Sequence, residues 1–362
     1  MTKTKRIIIG AGDIGGCKEV EPAVRILIEK GIEIEWRVDP STNARAGTNV
    51  LVKRGIAYST AFPQASDSTD LVLVGTSATA MDMQIALSRF AREKEIPCIH
   101  VEDFPGTAHY PKVRVAPPTT LCVVDEVAAE IARHARPEIP DIRTVGKPSY
   151  AEEVGPFLDS KDNVWEEVRK LLGLERTDFV IAYSSGGTAE TVMPHILVLA
   201  DLGDVAGRRT VLLDRLHPKL PDGAKVEARK ILADGKTRVV DSSAEKSLER
   251  VALAADIVVC TWGSTVQFAA ALAGVPPVLT LFPDDQKARE EIGYVDGVPP
   301  LIRSEAGFGA SSALELKELL FQIASQPKYR LQVRQNGRKF DSWVKPGAAE
   351  RIAAVVMEKL GV

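Results

Sequence analysis

The residues best equipped for chemistry sit in a few short glycine- and hydroxyl-rich turns. The first, Gly10-Ala11-Gly12-Asp13-Ile14-Gly15-Gly16, satisfies G-x-G-x-x-G between a β-branched run and a helical one. Glycine there lets the backbone approach a phosphate closely, and the N–H groups of a helix start favour an anion. Gly12, Gly15 and Gly16 are therefore candidate binding residues, and Asp13 is the carboxylate best placed to accept a proton. The plain alternative is structural: glycines that let a helix pack on a strand, and an Asp13 that caps the turn. Further on, Ser185-Gly186-Gly187-Thr188 occupies a second helix start, and Arg215 and His217-Pro218 follow another strand. Trp262-Gly263-Ser264-Thr265, with Gln267, opens a third helix, and Asp285-Gln286 follows a buried strand. Helix starts take phosphates and a carboxylate–amide pair takes hydroxyls, so the set suits a nucleoside diphosphate joined to something rich in hydroxyls. His100, Glu102, Asp103 and His109 are second-rank candidates near the first turn.

These turns need strands and helices to hold them, and the chain supplies an α/β alternation. Strands are expected at Arg6 to Ile9, Ile32 to Val38, Leu71 to Val74, Pro97 to Val101, Leu121 to Val124 and Ile142 to Val145. Helices are expected over Val20 to Lys30, Thr79 to Glu95 and Glu126 to Arg136, the first beginning at Pro22 after a loop from Cys17 to Glu21. The pattern restarts with strands at Phe179 to Ala182, Arg209 to Leu213, Thr237 to Val240, Ile257 to Cys260 and Val278 to Leu281. Runs such as Leu71-Val72-Leu73-Val74 are apolar on both faces, as parallel strands covered by helices on both sides must be. Two Rossmann-like, doubly wound parallel-sheet domains follow, with residues 1–147 as the first and 148–345 as the second. Residues 346–362 form a helix that could cross back to the first domain.

Composition narrows the partners. Among 362 residues, 46 basic and 49 acidic side chains leave a net charge of −3, which gives no footprint for holding a nucleic-acid backbone. The opening is too short in apolar residues for a secretory signal, and the longest apolar stretch, Phe268 to Phe282, is broken by Gly274, Pro276 and Pro277. A cytoplasmic location is the expectation, with peripheral membrane contact and a homodimer left open. Cys17, Cys98, Cys122 and Cys260 are far apart and read as reduced thiols, three of them on buried strands. With no zinc spacing and no Asp-x-Asp near the second-half turns, neither a metal nor a cofactor is expected.

The second half resembles the nucleotide-sugar glycosyltransferases of the GT-B fold in Gly263-Ser264-Thr265, Gly274-Val275-Pro276 and Asp285-Gln286. The resemblance covers residues 178 to 302 well and the first domain by pattern only. It implies two domains facing across a cleft, with the donor held mainly by the C-terminal one. Phosphate contacts would fall to Ser264 and Thr265, donor-sugar contacts to Asp285 and Gln286, and the base of an inverting transfer to a first-domain loop, where Asp13 lies. The acceptor would be small or lipid-linked. Where the family usually has a ribose-gripping glutamate, this chain has Gln267, or Ala269 when aligned backward from Gly274, and neither is a carboxylate. His217-Pro218 is similar to the His-Pro of bacterial sialyltransferases and teichoic-acid polymerising enzymes, which leaves the base open and admits a CMP donor. Three alternatives remain: a sugar-nucleotide 2-epimerase, an NAD-dependent oxidoreductase using Gly10, Gly12, Gly15 and Asp39, and a non-catalytic ligand-binding protein of the same fold.

Overall fold

The computed structural model describes residues 4–11, 13–40, 45–76, 81–283 and 285–362. The chain divides into two compact units. Met1–Gly155, Ala288–Gly297 and Ser342–Val362 form the first, and Pro156–Lys287 with Val298–Asp341 form the second. In the first, β1 (Arg6–Ala11), β2 (Glu33–Arg37), β3 (Tyr58–Ser59), β4 (Leu71–Gly75), β5 (Cys98–Val101), β6 (Thr120–Val123) and β7 (Ile142–Thr144) make one sheet in the order β3-β2-β1-β4-β5-β6-β7. All its pairings are parallel.

Alternate residues of these strands feed two cores, as the period-2 geometry of a strand requires. Ile7, Ile9, Leu71, Leu73 and Ile99 pack against Val20, Val24 and Leu27 of the helix Ile14–Glu29 and against Ile352 and Val356 of the helix Ala348–Leu360. Ile8, Val72, Val74 and Cys98 face Met83, Leu87 and Phe90 of the helix Asp82–Glu93.

The opening helix corrects the expectation of a loop from Cys17 to Glu21, because it runs Ile14–Glu29 with Pro22 inside it. Asp13 is its N-cap, with extended backbone and a carboxylate that accepts the Gly16 N–H at 3.0 Å. An interior proline costs ~3 kcal/mol. Against that stand the cap, ~1 kcal/mol, and the burial of Val20, Val24 and Leu27, each ~1.5–3 kcal/mol, so the longer helix wins.

The start of this helix lies directly on the end of β4. A Cβ on Gly75 would come within 2.3 Å of the Gly16 carbonyl oxygen, and one on Gly16 within 2.7 Å of the Thr76 oxygen. Gly75→Ala should therefore overpack the junction by at least ~1–3 kcal/mol. A urea midpoint unchanged from the parent would refute this.

The second unit is built the same way from β8 (Phe179–Ser184), β9 (Thr210–Arg215), β10 (Arg238–Asp241), β11 (Ile257–Thr261), β12 (Pro277–Thr280) and β13 (Phe308–Ala310). Their order is β10-β9-β8-β11-β12-β13, again all parallel. Ile181, Tyr183, Leu212 and Val259 face one helical layer, and Val180, Ala182, Leu213 and Cys260 the other. Sequence patterning does not anticipate β3, which has two residues, or β13, whose Phe-Gly-Ala carries no β-branched residue.

Candidate functional site

In each sheet the strand order reverses direction beside the first strand, between β1 and β4 and between β8 and β11. Ligands of open parallel sheets collect at the carboxyl ends of the strands flanking such a reversal. Both reversals carry polar turns here.

In the second unit, three turns far apart in sequence are tied together at that point. Ser184 ends β8, and its hydroxyl lies 3.3 Å from that of Ser264, in the turn after β11. The Ser185 hydroxyl accepts the His217 N–H at 2.6 Å, in the turn after β9. Gly187 lies against His217, since a Cβ there would be 3.6 Å from its Nδ1, and a Cβ on Gly186 would press on Thr191 at 2.8 Å. Thr188 precedes the helix Ala189–Ala200 with extended backbone and no side-chain cap, its hydroxyl being 3.0 Å from that of Thr191. The first amides of a helix so begun point outward for an acceptor. Gly263 and Thr265 complete the turn ahead of the helix Val266–Ala273, and around Gly263 the space is open.

His217 is half-buried. Burial, with help from Lys219 and Lys225, holds its imidazolium form below the usual histidine range. Its Nδ1 accepts the Lys219 N–H at 3.1 Å, which places the ring proton on Nε2. A neutral imidazole with a donating Nε2–H is thus presented beside the Ser185 turn.

Other residues singled out by sequence have partners in neighbouring turns or begin a helix. The Arg215 guanidinium donates to the carbonyls of Glu245 and Lys246 at 2.6 Å each, bracing the segment after β10. Gln267 is buried, and its Nε2 donates to the Trp262 and Ser264 carbonyls at 2.6 and 2.8 Å, so it shapes the turn from behind. The Trp262 indole N–H donates to the Asp285 carboxylate, and Gln286 starts the short helix Gln286–Glu291.

In the first unit, Gly12 lies outside the described residues. Asp13 caps its helix, and Gly15 sits against Asp103, where a Cβ would come 2.5 Å from Oδ2. Asp103 follows β5 and is half-buried. Its Oδ1 accepts the hydroxyls of Thr76 at 2.9 Å and Thr107 at 2.7 Å. Burial first, and the nearby charge of Asp13 second, push its carboxyl up to about 7, against the opposing pull of Lys147 and the two threonines. That is a carboxylate poised to take a proton near neutrality. The neighbouring Glu102 is buried and pushed up to about 8, while its Oε1 accepts the Gly106 N–H at 2.8 Å. Two adjacent carboxyls of raised pKa therefore line one loop.

Beneath Asp103 lies a buried ion pair. The Lys147 ammonium donates to Glu19 Oε1 at 2.6 Å and to the Asp103 carbonyl, and it stands 5.5 and 5.6 Å from the ring centres of Tyr150 and Trp343. Sequence reading missed this support. Its one signal is a carboxylate, Glu19, on the same helix face as the apolar Ala23 four residues on. The histidines are not chemical groups of this rim. His100 Nε2 meets the Ser88 hydroxyl at 2.8 Å in the core, and burial followed by Arg136 pushes both His100 and His109 down to about 3. Asp39 is buried, with Oδ2 accepting the Met83 N–H at 3.1 Å in the first turn of the helix Asp82–Glu93. Among the described residues no group of three or more His, Cys, Asp or Glu is placed to hold a metal ion, and no helix is long and apolar enough to cross a membrane.

No protein-family model matches the sequence, and no curated protein matches it either. Solved structures do. The chain is similar to Staphylococcus aureus MnaA, solved with UDP, at a TM-score of 0.66 and 14% identity, covering 99% of this chain and 97% of that one. It is similar to the UDP-GlcNAc 2-epimerase from Neisseria meningitidis bound to UDP-GlcNAc, at 0.60 and 13%, covering 98% and 100%. It is also similar to Acinetobacter baumannii MurG, at 0.58 and 13%, covering 98% and 99%. The chain has the GT-B fold.

Proposed function

We propose that this chain is an enzyme that transfers a sugar from a nucleotide donor, with the donor diphosphate at the β8–β11 reversal of the second unit. The observation that carries the reading is the joining of three turns there through Ser185 to His217 and Ser184 to Ser264. Together they present two helix starts, open space at Gly263 and the Nε2–H of His217 to one ligand. Oriented amides and a neutral donor stabilise a leaving diphosphate without a metal. Acceptor activation falls to Asp103, with Asp13 as the neighbouring charge that sets its proton affinity.

A second reading, 2-epimerisation of a nucleotide sugar, is favoured by one observation. The consecutive residues Glu102 and Asp103 carry carboxyls pushed up to about 8 and about 7 in one loop, the range an acid and a base of this chemistry need. Incubating UDP-GlcNAc without an acceptor separates the two, since an isomerised donor supports epimerisation and unchanged donor supports transfer.

The nucleotide site is tested by thermal shift with UDP, CDP, GDP, dTDP and NAD. A ligand at 100 times its dissociation constant stabilises the fold by about 2.7 kcal/mol. One nucleoside diphosphate should do so in the parent and fail in Ser264→Ala/His217→Ala. Stabilisation by NAD with none by any diphosphate would overturn the reading.

A further inference from the structure

No carboxylate occurs between Glu318 and Asp341, whereas Lys328, Arg330, Arg334, Arg338 and Lys339 all fall in that interval. Without these five cations the chain would carry 41 basic against 49 acidic side chains, a charge of −8. The cations lie on the helix Pro327–Asn336 and the 3-10 turn Gly337–Trp343 that continues it. Val333 is buried, and Gly337 rests so closely on the Ala271 carbonyl that a Cβ would meet it at 2.3 Å, which fixes the inward side. Lys328, Leu331, Arg334, Gln335, Arg338 and Lys339 are exposed, and their spacing of three and four residues makes one outward stripe. Arg330 is committed to Asp256 at 2.5 Å, and Lys339 donates to the Ser304 carbonyl at 3.0 Å. Lys328, Arg334 and Arg338 have no ion pair among the described residues. Leu331, in the middle of the stripe, is 54% exposed.

We propose that this stripe docks the second unit on an anionic lipid bilayer. The helix lies flat, with Leu331 entering the headgroup layer and the unpaired cations over lipid phosphates. A bilayer fits better than a nucleic acid because an exposed leucine among cations suits an interface with an apolar layer beneath it. Each lysine or arginine near an anionic bilayer raises partitioning about fivefold, so the three unpaired cations together give about a hundredfold. The surface is separate from the nucleotide site and does not depend on the reading given to it.

The experiment is co-sedimentation of the full chain with vesicles of phosphatidylcholine alone and of phosphatidylcholine mixed with phosphatidylglycerol. Uptake by the mixed vesicles should exceed uptake by the neutral ones about a hundredfold and fall as salt is raised. It should disappear in Lys328→Glu/Arg334→Glu/Arg338→Glu, persist in Arg334→Lys/Arg338→Lys, and weaken in Leu331→Ala. All four positions are exposed, so the triple variant should keep the parent's melting temperature and nucleotide-induced shift. No uptake by mixed vesicles, equal uptake by both vesicle types, undiminished uptake of the triple variant, or capture by duplex DNA in preference to mixed vesicles would each overturn the proposal.

Discussion

Asp103→Asn should lower turnover of a nucleotide sugar by ~10²–10⁴-fold, the usual loss when a positioned base is removed. Asn keeps an oxygen for the Thr76 and Thr107 hydroxyls, so the loop should stay in place while proton transfer fails. The parent's kcat/KM should rise with pH and level off above about 7, as Asp103 ionises. Asp13→Asn distinguishes the two carboxylates. Asparagine caps helices as well as aspartate does, so the Gly16 N–H keeps its acceptor and only a charge is lost. If Asp103 is the base, removing that charge should move the rising limb to lower pH with activity retained. If Asp13 is the base, activity should collapse at every pH. Stability should report the same group with opposite sign. A carboxyl raised from 3.8 to about 7 by folding favours the native state while protonated and costs stability progressively as pH climbs through that window. Asp103→Asn should therefore be more stable than the parent at pH 8, with the difference shrinking towards pH 4. A denaturation series showing no pH-dependent gap would contradict this.

The largest loss of stability is expected from Lys147→Met. Glu19 is 1% exposed, and losing its cation leaves a carboxylate in the core with only Ser149 to answer it. Breaking a buried pair from one side typically costs ~3–5 kcal/mol, a large share of the ~5–15 kcal/mol by which a domain is stable. Glu19→Gln/Lys147→Met should recover part of that loss, because no bare charge remains. Chemical denaturation of the three proteins measures it, and a single variant as stable as the parent would show that the pair contributes nothing. Lys147 also lowers the proton affinity of Asp103, so any activity left in Lys147→Met should need a higher pH than in the parent.

Much of this architecture is readable before any coordinates. Runs such as Leu71-Val72-Leu73-Val74 are apolar on both faces because each face meets its own helical layer, and that pattern identifies a parallel sheet. The Ser185, His217 and Ser264 turns are recognisable because small and hydroxylated residues at strand ends have little use in a core. What escapes the sequence depends on contacts between distant residues. Gln267 and Arg215 have the chemistry of ligand contacts, yet their hydrogen bonds go to backbone carbonyls of nearby turns. Pro22 reads as a helix start because the capping and burial that override it come from Asp13 and the sheet. Asp103 ranks behind Asp13 in sequence. Its raised proton affinity comes from burial and from the charge of Asp13, opposed by Lys147, and neither Asp13 nor Lys147 adjoins it in the chain.

The helix Ala348–Leu360 covers the Ile7 and Ile9 face of the first sheet although some 200 residues separate it from the last strand of that sheet. At ~5–20 residues per second on a ribosome, that separation is ~10–40 s of synthesis. For that interval the newborn sheet lacks one of the helices over that face, and part of an oily flank is bare. A nascent chain of this design is a natural client for a holding chaperone, and shortening it from the far end would undo the part that was made first.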